Sequence, residues 1–319
     1  MPKKIKAIVT GGAGFIGSHL AEELVKRGYD VAVIDDLSTG RLENLDWAKG
    51  EKDFRFLEAS VTDIELFKKV SKGVDYIFHL AAIPSVHRSI ESPLLSHEVN
   101  LTGTLNVLAA ARENGVRKVI YASSCAVYGD TPTLPQNEGA LPSPQSPYAV
   151  AKVAGEYYCR SFTEVYGLPT VCLRYFNVYG TRQGPDSDYA AAIPSFIDRV
   201  AGGKPPVIFG DGGQTRDFVY VKDIVAANIL AAGSDIGGIF NIGCGKSITI
   251  NQLADAIMTL MGKRMSPLHQ EARAGEIRHS LADISKAKSI GFNPEYSLEE
   301  GLKEMLKTMV VGQFHFNDG

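Results

Sequence analysis

The chain has 319 residues, 45% of them hydrophobic and 22% charged, with a formal net charge of −3. This is the composition of an ordinary globular protein. It gives no reason to expect nucleic acid or an anionic membrane surface as partner, and no apolar run approaches a membrane span. Cys125, Cys159, Cys172 and Cys244 are scattered, with neither a C-x-x-C pair nor the Cys/His spacing of a zinc site. That pattern fits a reducing cytoplasm and predicts no metal.

In chain order, the basic start "MPKKIKAIVT" runs into glycines and then a helical pattern, so it reads as a first strand and not as a signal peptide. "SHLAEELVKRG" predicts the first helix and "DVAVIDD" the second strand. "FRFLEAS", "DYIFHLAA", "KVIYASS" and "PTVCLRY" continue the strands, with "TLNVLAAARENG" and "SPYAVAKVAGEY" as helices among them. Short apolar runs alternating with helical stretches predict parallel βαβ units with helices on both faces of a doubly wound sheet. From about residue 176 the rhythm changes. Loops rich in Gly, Pro and Asp, such as "YGTRQGPDSDY" and "FGDGGQTRD", predict a smaller α+β region. The expected division is therefore 1–176 for a nucleotide-binding domain and 177–319 for a substrate domain, with the chain crossing back to the first.

The first strand leads into "TGGAGFIGSHL", where Gly11, Gly14 and Gly17 are spaced G-x-x-G-x-x-G. Glycines there permit a tight turn and close approach of backbone to a pyrophosphate at a helix N-terminus. Asp35 ends the second strand 18 residues after Gly17, where a carboxylate accepts bonds from ribose hydroxyls and repels a 2′-phosphate. The combination predicts NAD in a Rossmann-type fold. "GCGKSIT" imitates a phosphate loop, but the required first glycine position is Phe240, so the motif fails on spacing. "ASSCAVYGD" places Ser123 and Ser124 at a strand end, where open α/β sheets present ligands. In "SPYAVAK", Tyr148 and Lys152 lie one helical turn apart on one face, a candidate acid/base pair.

With "TGGAGFIG", "HLAA", "SSCAVYG", "SPYAVAK", "RYFNVYG", "GDGGQTRDFVYV" and "RAGEIRHSLAD" in that order, the chain resembles the extended short-chain dehydrogenase/reductase family, and within it the UDP-sugar 4-epimerases. The resemblance implies a tightly bound NAD, a UDP-sugar substrate (glucose or N-acetylhexosamine type) and a homodimer. It implies Tyr148 as acid/base, Lys152 as its tuning cation and ribose ligand, and Ser124 as the bridge to the sugar 4-hydroxyl. Phe15 and Ile16 would cover the pyrophosphate, and Asp35 and Asp36 would lie near the adenosine ribose. Ser60, Val61, Leu80, Ala81, Ala82, Asn100, Tyr175 and Phe176 would complete the cofactor site. Ser60 departs from the Asp common there, as Glu276 does. Asn177, Arg216, Arg273 and Glu276 would hold the UDP part, with Val207 and Phe209 also in the substrate site. Ser85, Gln183, Ala191 and Ser280 would form a sugar wall roomy enough for an N-acetyl group. The related 4,6-dehydratases carry an Asp–Glu pair where this chain has Cys125 and Ala126, which disfavours dehydration. Uronate decarboxylation or epimerisation would need a cation that the sequence does not assign. A non-catalytic NAD sensor is opposed by the intact Ser124, Tyr148 and Lys152.

Overall fold

The computed structural model describes residues 4–184, 192–272 and 277–314. Strands β1 (Lys6–Thr10), β2 (Asp30–Asp35), β3 (Phe54–Glu58), β4 (Tyr76–His79), β5 (Lys118–Ser124) and β6 (Thr170–Tyr175) pair in parallel. Alternate residues face opposite sides. Ala7, Val9, Val31 and Val33 therefore enter one apolar layer, and Ile8, Ala32 and Ile34 the other. Both faces are buried, which is why these strands read as nearly continuous apolar runs. Helices α1 (Phe15–Lys26) and α2 (Ile64–Val70) fall on opposite faces. On the α2 face follow α3 (Val86–Glu91), α4 (Pro93–His97), a π-turn over Glu98–Thr102, α5 (Gly103–Glu113) and α6 (Pro147–Tyr166).

Beyond β6 come β7 (Asn177–Tyr179), α7 (Ala192–Ala201), β8 (Val207–Phe209), β9 (Thr215–Arg216) and β10 (Phe218–Tyr220). Then α8 (Val221–Gly233) returns to pack against α1, and β11 (Gly238–Ile242) pairs in parallel with β6. Among the described residues the main sheet has seven strands, in the order β11-β6-β5-β4-β1-β2-β3. Its outermost strand and one covering helix thus come from beyond residue 176. The remaining elements are β12 (Ile248–Thr249), α9 (Ile250–Leu260), β13 (Leu268–Gln270), α10 (Ser285–Ser289) and α11 (Leu298–Phe314). Ile193, Phe196, Ile208, Leu253, Ile257 and Leu302 build a separate core above the sheet.

The strand order reverses between β1 and β4. A crevice opens there at the carboxyl ends of the strands, where open α/β sheets take their ligands.

Candidate active site

A cavity of about 290 Å³ occupies that crevice. Gly11 leaves β1 with φ of +68°, and a Cβ on it would stand 2.7 Å from the Ala81 backbone nitrogen. On α1, a Cβ at Gly17 would meet the Gly11 carbonyl oxygen at 2.2 Å. Only glycine fits either place. Gly14 caps α1 without a side-chain bond, and the first turn carries no acidic residue. Its first amides have no helical acceptor and suit an anion. The cradle fits a dinucleotide pyrophosphate.

Asp35 does two jobs in this geometry. Its Oδ2 accepts from Ala13 N–H at 2.9 Å and its Oδ1 from Leu37 N–H at 2.9 Å, so the carboxylate fixes the glycine loop while bordering the cavity. Burial raises its pKa, and the bonds from Leu37 and Ala13 oppose that rise. Asp36 accepts from Ser38 N–H at 3.0 Å and lines the same cavity. So do Gly11, Gly14, Phe15, Ile16, Gly17, Ser60, Val61, Leu80, Ala81, Ala82, Tyr148, Lys152 and Tyr175.

Two expected cofactor residues do not line the cavity. Asn100 is buried beneath the loop after β4, accepting from Ile83 N–H at 2.7 Å and donating to Ile83 O at 3.2 Å. It ends a relay in which Thr10 bonds His79 Nδ1 (2.8 Å), His79 Nε2 bonds Thr104 (2.9 Å), and Thr104 donates to the Asn100 carbonyl (2.7 Å). Phe176 packs instead with Val127, Tyr128, Ala282 and Ile284. The sequence reading missed Ser38, Thr39, Ala59, Pro84 and Val99, which also line the cavity. Each is adjacent to, or a short loop away from, a residue that was singled out, which is the signal that could have found most of them.

The chemistry gathers where β5 meets α6. Ser124 ends β5, and Ser146 caps α6 by accepting from Ala149 N–H at 3.2 Å, with Pro147 opening the helix. Tyr148 therefore sits in the first turn and Lys152 one turn later, both buried against the sheet. The Tyr148 hydroxyl lies beside Ser124. Lys152 Nζ donates to Ala122 O at 2.7 Å and stands 5.7 Å from the centre of the Tyr148 ring. Burial pushes Tyr148 up to about 12, partly offset by the Ser124 hydroxyl. Burial likewise holds Lys152 down at about 8. Here the loss of hydration outweighs the expected help from Lys152, whose ammonium points at the Ala122 carbonyl.

On the other side of the first turn of α6 lies a second cavity of about 500 Å³. Ser85, Asn177, Val207, Phe209 and Arg216 line it as expected, together with His87, Ala126, Gly129, Gln145, Ser146 and Ala149. Two expected wall residues lie elsewhere. Gln183 donates to Val178 O at 3.3 Å, in a loop tied back to α1 by His19 Nε2 bonding Thr181 O (2.9 Å) and by the Arg182–Glu22 ion pair. Ser280 is buried behind the wall, its N–H bonded to Thr215 O at 3.1 Å and its hydroxyl beside Cys125. Ala191, Arg273 and Glu276 lie outside the described residues.

Comparison with known proteins adds a consistent picture. The model of the NAD dependent epimerase/dehydratase family matches residues 7–243. A solved UDP-N-acetylglucosamine 4-epimerase from Methanobrevibacter ruminantium, in complex with UDP-N-acetylmuramic acid, is 43% identical with a TM-score of 0.94, covering 97% of this chain and 99% of that one. A solved UDP-glucose 4-epimerase from Thermotoga maritima, with UDP-glucose, is 39% identical with a TM-score of 0.93, covering 97% and 100%. The UDP-glucose 4-epimerase of Mycolicibacterium smegmatis is 39% identical over 307 residues, 95% of this chain and 98% of its own.

Proposed function

Because the chain belongs to the NAD dependent epimerase/dehydratase family, we propose that it inverts C4 of UDP-sugars with NAD retained between turnovers. The observation that carries this reading is the first turn of α6. It sets Tyr148 and Lys152 on a cavity that fits NAD and turns Ser146 and Ala149 toward a second cavity with Arg216 on its wall. NAD, when bound, supplies a positive ring beside the phenol and a reversible acceptor for the hydrogen and electron pair of sugar C4. The protein does the rest. Tyr148 takes the 4-hydroxyl proton as phenolate, Ser124 holds that oxygen in line, and Lys152 counters the developing negative charge. The 4-ketose would turn over in the larger cavity, C4 would regain its hydrogen and electron pair on the opposite face, and Tyr148 would return the proton to the 4-oxygen. Arg216 and Asn177 hold the diphosphate end; an arginine fork suits phosphate.

Competing chemistry finds little support here. Burial pushes the Cys125 thiol up to about 11, so it stays neutral, and Ala126 has no acid or base to offer for dehydration. His87 on the wall favours a uronate as substrate, and so do a UDP-glucuronate 4-epimerase and a UDP-N-acetyl-alpha-D-glucosaminuronate decarboxylase that are 36% and 37% identical to this chain. The absence of a bulky side chain at Ala126 and Gly129 supports an N-acetylhexosamine as well as a hexose, since an unfilled pocket rejects a smaller sugar only weakly. The test is product analysis with UDP-N-acetylglucosamine, UDP-glucose and UDP-glucuronate supplied separately and no nicotinamide added. C4 epimers of the first two are expected; conversion of UDP-glucuronate alone would move the reading to the uronate enzymes.

The assembly is proposed to be a dimer in the cytoplasm, where the free cysteines would stay reduced. Ile90, Leu94 and Leu95 on α3 and α4, and Val150, Tyr157 and Tyr158 on α6, are exposed apolar side chains on helices that pack together. A second copy covering that face about a two-fold axis would bury them.

A further inference from the structure

Behind the reacting residues lies a charged cluster that the proposed chemistry does not use. Arg174 and Glu156 are both buried, at 1% and 4% exposure, in the layer between β6 and α6. The guanidinium grips the carboxylate with both arms, Nε to Oε1 at 2.8 Å and Nη2 to Oε2 at 2.7 Å. Ser123 donates to the same Oε1 at 2.5 Å, and the Tyr128 ring covers the guanidinium at 4.7 Å.

Every member is the neighbour of a site residue. Ser123 precedes Ser124 on β5, and Arg174 precedes Tyr175 on β6; the strands are in register Ser123 with Arg174 and Ser124 with Tyr175. Glu156 follows Lys152 by one helical turn and Tyr148 by two, on the same buried face. Two consecutive residues of β5 are thus tied to α6, Ala122 O to Lys152 and Ser123 to Glu156, and the next, Ser124, lies beside Tyr148. A helix packed on a sheet by apolar contacts alone can slide or rotate at small cost, whereas a two-armed charge pair has a single low-energy geometry. Buried ion pairs contribute little net stability compared with apolar side chains of similar volume, and fixing register is their best-attested use.

We infer that Glu156 and Arg174, through Ser123, are positioning residues that lock α6 against β5 so that Tyr148 and Lys152 stay aligned with Ser124 at the reacting carbon. This rests on the 4-epimerase reading of the site.

The decisive protein is the double variant Glu156→Leu/Arg174→Met, which removes both charges and keeps the volume, so that no lone buried charge remains. It is expected to fold and to bind UDP-sugar with nearly unchanged KM, while kcat falls by about 10- to 100-fold, the scale of a misalignment near 1 Å. A folded double variant whose kcat stays within about twofold of the unaltered protein would overturn the inference. Should the double variant fail to fold, Ser123→Ala decides; it removes the tie from strand to carboxylate, and since Ser123 also lines the cofactor cavity, rates are compared at equal NAD content. A kcat loss at constant KM supports the lock, and an unchanged kcat overturns it. If the unaltered protein does not epimerise UDP-sugars at all, the functional reading has failed, and the lock is then read without turnover. The Tyr148 resonance in a ¹³Cζ-tyrosine spectrum, identified by its loss in Tyr148→Phe, is expected to move in the double variant; an unmoved resonance overturns the lock.

Discussion

In the proposed reaction Tyr148 has to release a proton from a place where burial opposes the phenolate, pushing it to about 12. The side chain is therefore poised to ionise only when opposite charge arrives beside it, and activity is expected to rise toward alkaline pH. Tyr148→Phe keeps the ring packing and loses one oxygen beside Ser124. It should cost about 1 kcal/mol of stability and lower kcat by about 10²–10⁴-fold, measured by thermal melting and initial rates. Retention of a tenth of the rate, about the shortfall that would exclude a positioned base, would assign the proton to another group. His79 illustrates a different use of burial, which holds its pKa down at about 3. The sign follows directly: below the free value of 6.5 the unfolded chain takes up a proton that the folded chain refuses, so stability falls with falling pH. Between pH 6.5 and 5 this histidine alone should remove about 2 kcal/mol. Chemical denaturation at the two pH values should show a smaller loss in His79→Gln. The sequence made Tyr148, Lys152 and Ser124 legible because their chemistry is written in local spacing. Ser280 and Gln183 were assigned to a wall they do not line, since depth behind a surface depends on partners such as Thr215 and Val178 that are distant in the chain.

At the scale of elements, the junction between β1 and α1 depends on backbone approach more than on side chains. Gly17→Ala places a Cβ against the Gly11 carbonyl, and backbone cannot yield as a flexible side chain can. The variant should lose about 1–3 kcal/mol to overpacking and be purified with little NAD, assayed by cofactor release and thermal melting. Wild-type NAD content in that protein would remove the close-approach role from Gly17. The parallel run from β1 to β6 was readable because each strand is a compact apolar run, and α-helices separate them except between β2 and β3, where a 3-10 turn spans Leu42–Ala48. The return of α8 and β11 to the sheet was expected only in general terms. "GIFNI" is a short strand whose partner β6 is set by the packing of α8 on α1, not by any local signal.

Across the whole molecule, the two cavities share Pro84 and meet at α6. The helices α3 and α6 that line them carry, with α4, the exposed apolar face. Leu94 is 85% exposed, so Leu94→Glu should leave the fold intact and shift the protein from dimer to monomer in light scattering; a monomeric unaltered protein would refute the assembly. The central claim is that the C4 hydrogen leaves the sugar and returns to it inside one closed site. The most direct measurement follows UDP-N-acetylglucosamine carrying deuterium at C4, incubated with the purified protein in ordinary water without added nicotinamide. The expected product is UDP-N-acetylgalactosamine with the deuterium still at C4. Loss of the label to water, a net oxidised sugar, or a requirement for stoichiometric NADP would contradict it.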